Sequence, residues 1–322
     1  MASFDHILVL RHSTYMTHFY DVVLGWIHAR SPDCLQHFVV LDLPGAMREW
    51  GAVRLMVPWL QDPVQNWSAR IYDQVIALQR ECDHRRIPVI NRVENLANAG
   101  KAEAARRMRA VGMHTPNIVP IVDREAFLRD FCGLAFPLFV REDWGHGGAM
   151  LRADTPDQAR ALPIRNFRRP VAVELIDVLN QEDGLYRKYR HFACGPLGIP
   201  QHLQVSTEWV TRGEGRVIDD RTREEELAYL ATGDHHEAKF QRAREALDLD
   251  MVAFDYGLDS AGEPVVWEAN PFPYIQFGRT TTQYRNHAID RSIGAMVDMY
   301  LRRAGLAVPD AIAAVLAMPG RA

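Results

Sequence analysis

The segment Asp250–Pro273, DMVAFDYGLDSAGEPVVWEANPFP, holds the residues best placed to do chemistry. Two apolar runs, Met251–Tyr256 and Pro264–Glu268, flank a turn around Ser260–Gly262, the pattern of a β-hairpin. In such a hairpin Asp255 lies near the end of one strand. Glu268 and Asn270 end the other and, two residues apart, share a face. Two carboxylates and an amide oxygen are hard ligands, suited to Mg²⁺, which completes its shell with phosphates and water. A solvated hairpin with ordinary surface acids is the competing reading of this segment alone.

The elements that must position this group alternate in type. Asp5–Leu10, His37–Leu43 and Ile87–Asn91 read as buried strands, and helices are expected over Phe19–Ala29 and Val64–Arg85. Strand–helix alternation predicts a parallel sheet. After Leu96 the texture changes. A helix is expected over Lys101–Val111. Strands follow at Ile118–Val122, Phe136–Glu142, Val171–Asp177, Tyr186–Ala193 and His202–Val205. A long polar helix over Arg223–Leu247 precedes the hairpin, and a helix over Ala288–Ala304 closes the core, with a short tail helix beyond.

The composition bounds the function. The 322 residues are 48% hydrophobic and 24% charged, as in an ordinary globular chain of two or three domains. Net charge is −4, which gives no electrostatic case for nucleic acid or an anionic membrane as partner. No apolar run reaches the length of a membrane span, and the N-terminus does not read as a signal peptide. Cys34, Cys82, Cys132 and Cys194 are scattered without a CxxC pair, which fits a reducing cytoplasm. His235-His236 has no ligand-spaced partner for zinc. Only three of the 37 basic residues are lysines, namely Lys101, Lys188 and Lys239.

The pattern D-x(12)-E-x-N followed by Pro resembles the metal signature of the ATP-grasp superfamily, the fold of D-alanine–D-alanine ligase, glutathione synthetase and the ribosomal-protein glutamate ligases. The resemblance implies that Asp255 and Asn270 each bind one Mg²⁺ and that Glu268 bridges two. Other segments resemble the family in the same order. NRVENLANAGKAEAARRMRAVGMHTPNIVPI places Lys101 as the nucleotide-phosphate lysine, at a helix start that suits anions. RPVAVELIDVLNQEDG matches the adenine hinge with Glu174, Leu175 and Ile176, and leaves Asp177 or Asp183 as the ribose acid. YRKYRHFACG places Arg190 toward the γ-phosphate, with Lys188 as the second candidate.

Two departures stand out. Where the family has a second lysine, FPLFV ends in Arg141, a forked donor that is no simple equivalent. The loop expected over the phosphates, Asp143–Gly148, has Gly145, Gly147 and Gly148 for close backbone approach, but also Trp144 and His146. Substrate recognition is assigned to Arg279, which could hold a carboxylate by a paired bond; Arg11, His12, His202 and Trp209 are further candidates.

The resemblance therefore implies an ATP-grasp fold: an N-terminal parallel-sheet α/β domain (1–95), a central lid (96–172) and a C-terminal antiparallel-sheet domain (173–322). It implies an ADP-forming carbon–nitrogen ligase using ATP and two Mg²⁺ on small-molecule or peptide carboxylates and amines. An ATP-dependent kinase on the same residues and a non-catalytic nucleotide-binding module remain open, as does a homodimer.

Overall fold

The computed structural model describes residues 5–13, 18–61, 63–144, 149–211, 213–273, 275–278 and 280–317, with the backbone alone at 18 and 19. The chain opens with β1 (His6–His12), whose residues Ile7–Leu10 are all fully buried. Then come α1 (His18–Arg30), α2 (Pro32–Leu35), β2 (Phe38–Leu43), β3 (Val53–Trp59), α3 (Val64–Trp67) and α4 (Ala69–Arg85). The three strands form the expected parallel sheet, in the order β2-β1-β3. Its third member is Val53–Trp59, whose apolar run is interrupted by Arg54 and Pro58. Ile87–Asn91 makes a single bridge, Val89 to Met56. The Asn91 amide instead ties this unit to the far end of the chain. Its Oδ1 accepts from Asp250 N at 2.7 Å and its Nδ2 donates to Met251 O at 2.9 Å. The single helix expected over Val64–Arg85 is two, because Ser68 is extended and its hydroxyl caps α4 at Ile71 N.

The middle of the chain forms α5 (Lys101–Ala110), β4 (Ile118–Pro120), α6 (Arg124–Asp130), β5 (Leu138–Glu142), β6 (Met150–Ala153), α7 (Pro156–Ala161) and β7 (Pro170–Glu174). Its antiparallel sheet runs β4-β7-β5-β6. Phe127, Phe131, Leu138, Val140 and Ile164 pack a small core separate from the rest. Short α6 and α7 start on the side-chain caps Asp123 and Thr155.

The last unit holds β8 (Tyr186–Cys194), β9 (Leu197–Ser206), β10 (Arg216–Val217), α8 (Asp220–Thr232), α9 (Glu237–Ala246), β11 (Met251–Leu258), β12 (Pro264–Asn270), α10 (Asn286–Arg303) and α11 (Asp310–Ala317). Its antiparallel sheet runs β10-β9-β8-β11-β12. The expected polar helix is two helices, α8 and α9, because Gly233 at φ +78° ends the first. Helix α10 is the wedge between sheets. Its Ile293, Met296 and Tyr300 share one core with Ile7 and Trp59 of the first unit and Phe192 of the last. A second core joins the opposite faces, Leu8 and Met56 with Phe240 and Phe254. The first and last units are therefore fused into one body, and the middle sheet stands apart over it. Among the described residues no helix is long and apolar enough to cross a membrane.

Candidate active site

Antiparallel register brings four side chains into one row across four strands. His202 of β9 pairs with Arg190 of β8, Arg190 with Asp255 of β11, and Asp255 with Glu268 of β12. Directly opposed residues share a face of the sheet, and Lys188, two residues before Arg190, joins them. Asp255 is 2% exposed. Its Oδ1 accepts from Arg190 Nε at 2.5 Å, and its Oδ2 from Arg190 Nη2 at 2.9 Å and Lys188 Nζ at 3.3 Å. An isolated charge at such depth is costly and persists only when paired. Burial opposes the Asp255 charge, but Arg190 and Lys188 outweigh it and hold the carboxyl well below its usual range. For Arg190 burial also works against charge, and Asp255 and Glu268 reverse it, so its guanidinium is raised. His202 has no such acid to itself. Burial, Arg190 and Lys188 push its imidazole well below the usual range, leaving it neutral near pH 7.

The other side of the hairpin carries a β-bulge. Asp255 pairs with Glu268 and Tyr256 with Val266, so Trp267 is the extra, unpaired residue. The bulge lets Trp267 and Glu268, adjacent in sequence, line the same cavity. The Trp267 ring lies over Gly257, where a Cβ would approach within 2.9 Å. Asn270 is buried opposite Ala253, and its Oδ1 accepts from Phe272 N at 3.0 Å. That bond orients the amide and leaves the oxygen a second lone pair. Asp255, Glu268 and Asn270 thus form an oxygen-only donor set on one strand pair, chemistry that fits Mg²⁺.

Lys101 reaches the same place from a distant segment. Its backbone N donates to Asp143 O at 2.9 Å, and Ala102 N donates to Asp143 Oδ1 at 3.0 Å. Asp143 therefore caps α5 and docks its N-terminus on the end of β5, beside Arg141. The Arg141 Nη1 lies 3.9 Å from Met150 Sδ. Of the two acids that follow it, Glu142 accepts from Arg168 N and Arg169 N, and Asp143 is the helix cap. Both are engaged by backbone amides. Gly145, His146, Gly147, Gly148 and Arg279 lie outside the described residues.

A cavity of about 420 Å³ opens where these segments meet, a volume typical of small-molecule sites. Lys101, Arg141, Lys188, Asp255 and Glu268 line it, together with Glu174, Leu175 and Ile176. The rest of the wall is largely apolar. Phe139 of the middle sheet and Trp209, just after β9, meet in it with ring centroids 4.4 Å apart. Arg190 and Asn270 do not line the cavity; each is buried and bonded, Arg190 directly behind Asp255. Asp177 is exposed and accepts from Leu179 N. Asp183 is held by Arg187 and Arg221, and the Arg187 bond leads in keeping its carboxyl well below the usual range. At the end of β1, Arg11 is paired with Asp21 and Asp42.

Sequence reasoning did not single out Phe139 or Trp267. Phe139 is two residues before Arg141 on a strand, a spacing that already puts both on one face. Trp267 carried no such signal, because simple alternation turns it away from Glu268.

No family model and no curated protein matches the chain. Solved structures do. The ATP-grasp ligase PsnB, complexed with a phosphomimetic variant of its minimal precursor, Mg and ADP, is 14% identical with a TM-score of 0.57, over 93% of this chain and 98% of that one. D-alanine–D-alanine ligase from Bacillus anthracis is 14% identical with a TM-score of 0.59, over 93% and 97%. A RimK domain ATP-grasp protein from Sphaerobacter thermophilus is 14% identical with a TM-score of 0.56, over 91% and 98%. The chain has the ATP-grasp fold.

Proposed function

We propose that this protein is an ATP-dependent carboxylate–amine ligase that works through an acyl phosphate. The observation that carries the reading is the convergence of Lys101, Arg141, Lys188 and the Asp255–Glu268 pair on one cavity lined otherwise by apolar rings. The rings and the hinge residues Glu174, Leu175 and Ile176 suit a nucleobase, and the cations suit a polyphosphate. For the ribose, Asp177 and Asp183 remain the candidates, and Asp183 would serve only by giving up part of its hold on Arg187. Mg²⁺ held at this oxygen donor set would neutralise phosphate charge.

In the first step an oxygen of the substrate carboxylate attacks the γ-phosphorus. The bond to the β–γ bridging oxygen breaks and ADP leaves. In the second, an amine nitrogen attacks the acyl carbon, phosphate departs and the amine proton passes to solvent. Neither step needs a protein nucleophile. Positioning and charge stabilisation do the catalysis, with Lys101 and Arg141 on the nucleotide phosphates, Arg190 acting on the phosphoryl group only through Asp255, which it holds from behind, and Arg279 on the substrate carboxylate. The Gly145–Gly148 loop is assigned to covering the phosphates, which excludes water from the acyl phosphate.

The substrates are small-molecule or peptide acids and amines. The setting we assign is the cytoplasm, where the free thiols Cys34, Cys82, Cys132 and Cys194 stay reduced. The test is ADP release across pooled carboxylic acids and amines, with products identified by mass. Release that requires both an acid and an amine supports the ligase. Phosphate appearing on a hydroxyl, with no amine needed, makes the protein a kinase. Nucleotide binding without ADP from any mixture makes it a non-catalytic module.

A further inference from the structure

Lys188 changes how many cations this site can hold. It lies on β8 with its amine 3.3 Å from Asp255 Oδ2, and it is 6% exposed. A carboxylate offers about four lone-pair positions. Three on Asp255 are taken, one on Oδ1 by Arg190 Nε and both on Oδ2 by Arg190 Nη2 and Lys188 Nζ. Two cations therefore face this one carboxylate. Along the row Asp255 and Glu268 face Arg190 and Lys188, and Lys101 and Arg141 line the same cavity, so the protein already supplies more cations than anions here. A dication placed on Asp255 finds one lone pair left on Oδ1, and to bridge both oxygens it must displace the Lys188 ammonium into the cavity. Glu268 and Asn270 lie farther along β12, and the Asn270 oxygen keeps one lone pair after its bond to Phe272 N.

We propose that the Lys188 ammonium stands where a second metal ion would otherwise bind Asp255, so that this protein handles its nucleotide with a single Mg²⁺ held by Glu268 and Asn270. The inference rests on the nucleotide reading given above. It makes Lys188 a built-in monovalent counter-ion, fixed in the fold and independent of magnesium concentration.

The experiment counts ions directly. Full-length protein in excess over the imido analogue of ATP is titrated with Mn²⁺, and free Mn²⁺ is read by its paramagnetic resonance against the analogue alone. The wild type is expected to hold one tight Mn²⁺ per bound analogue, with any second ion at least about tenfold weaker. Lys188→Met, similar in length but uncharged, is expected to hold two, with the spin coupling of a metal pair about 4 Å apart. Lys188→Arg, which keeps the charge, is expected to hold one. Lys188→Gln replaces Lys188→Met if circular dichroism shows the latter unfolded, and the wild-type count decides alone if neither folds. Two tight ions in the wild type overturn the proposal and leave nucleotide binding intact. One ion in a folded neutral variant overturns the role of Lys188. No binding of the Mn²⁺–analogue pair overturns both this proposal and the nucleotide reading.

Discussion

Replacing Asp255 by Asn probes the site without any substrate. The change removes one negative charge and little volume. It leaves Arg190 and Lys188, 8% and 6% exposed, facing an amide that offers one acceptor oxygen where a carboxylate offered two. Three charged contacts of 2.5, 2.9 and 3.3 Å are lost or weakened. At about 1.5–3 kcal/mol for each hydrogen bond to a charged group, their plain sum overshoots, because the amide keeps part of the bonding. The better scale is that of breaking a buried ion pair by removing one partner, about 3–5 kcal/mol. Asp255→Asn should therefore lower unfolding free energy by about 3–5 kcal/mol in urea titrations followed by tryptophan fluorescence. Lys188→Met in the same background should recover part of the loss, with a coupling of about 1–3 kcal/mol in the double-mutant cycle. A site that stores uncompensated negative charge for incoming metal behaves oppositely and gains stability when a carboxylate goes. If Asp255→Asn is as stable as the wild type or more so, the charge balance argued here is wrong.

Three further outcomes follow from the geometry. Lys101→Ala should weaken ATP binding by about 1.5–3 kcal/mol in calorimetry, while leaving the fold intact. Arg141→Ala should raise the half-saturating ATP concentration sharply and Arg141→Lys should keep much of the activity, since Arg141 lines the cavity; unchanged ATP saturation in Arg141→Ala would make the residue structural. Asp183→Asn should cost about 1 kcal/mol near neutral pH, the upper end of the range for ion pairs outside the core. The Asp183 carboxyl lies below its ordinary value in the fold, so its contribution is complete above about pH 4 and lost as pH falls through the folded value. The gap between wild type and Asp183→Asn in acid denaturation should accordingly close below that pH, and a constant gap would exclude the ion pair as its source.

Local patterns made the β11–β12 hairpin legible. Asp255, Glu268 and Asn270 sit on two adjacent strands joined by a short turn, so spacing alone placed them. Lys101 was legible because a helix start is a local feature. The third strand of the parallel sheet was not: Arg54 and Pro58 disguise β3, while Ile87–Asn91 has a strand's composition but spends Asn91 on the backbone of a distant strand. The Lys188–Asp255 contact joins residues 67 apart in sequence, and the register of the β8–β11 pair, which no local pattern encodes, creates it. Trp267 needed the bulge, and Trp209 needed the middle sheet to close over the C-terminal one. Asp183 shows the converse: an acid with the composition of a ligand-binding loop is bound up with Arg187.

The account's central claim is that a substrate carboxylate attacks the γ-phosphate of ATP, and the fate of one oxygen atom tests it most directly. The acid that elicits ADP release is prepared with heavy oxygen in its carboxylate and turned over with ATP, Mg²⁺ and the amine. The released phosphate is then weighed by mass spectrometry, with Glu268→Ala as the inactive control. The prediction is one heavy oxygen in each phosphate, because the oxygen that joins phosphorus in the first step leaves with it when nitrogen takes its place. Phosphate carrying no label from an amine-dependent reaction would contradict the account.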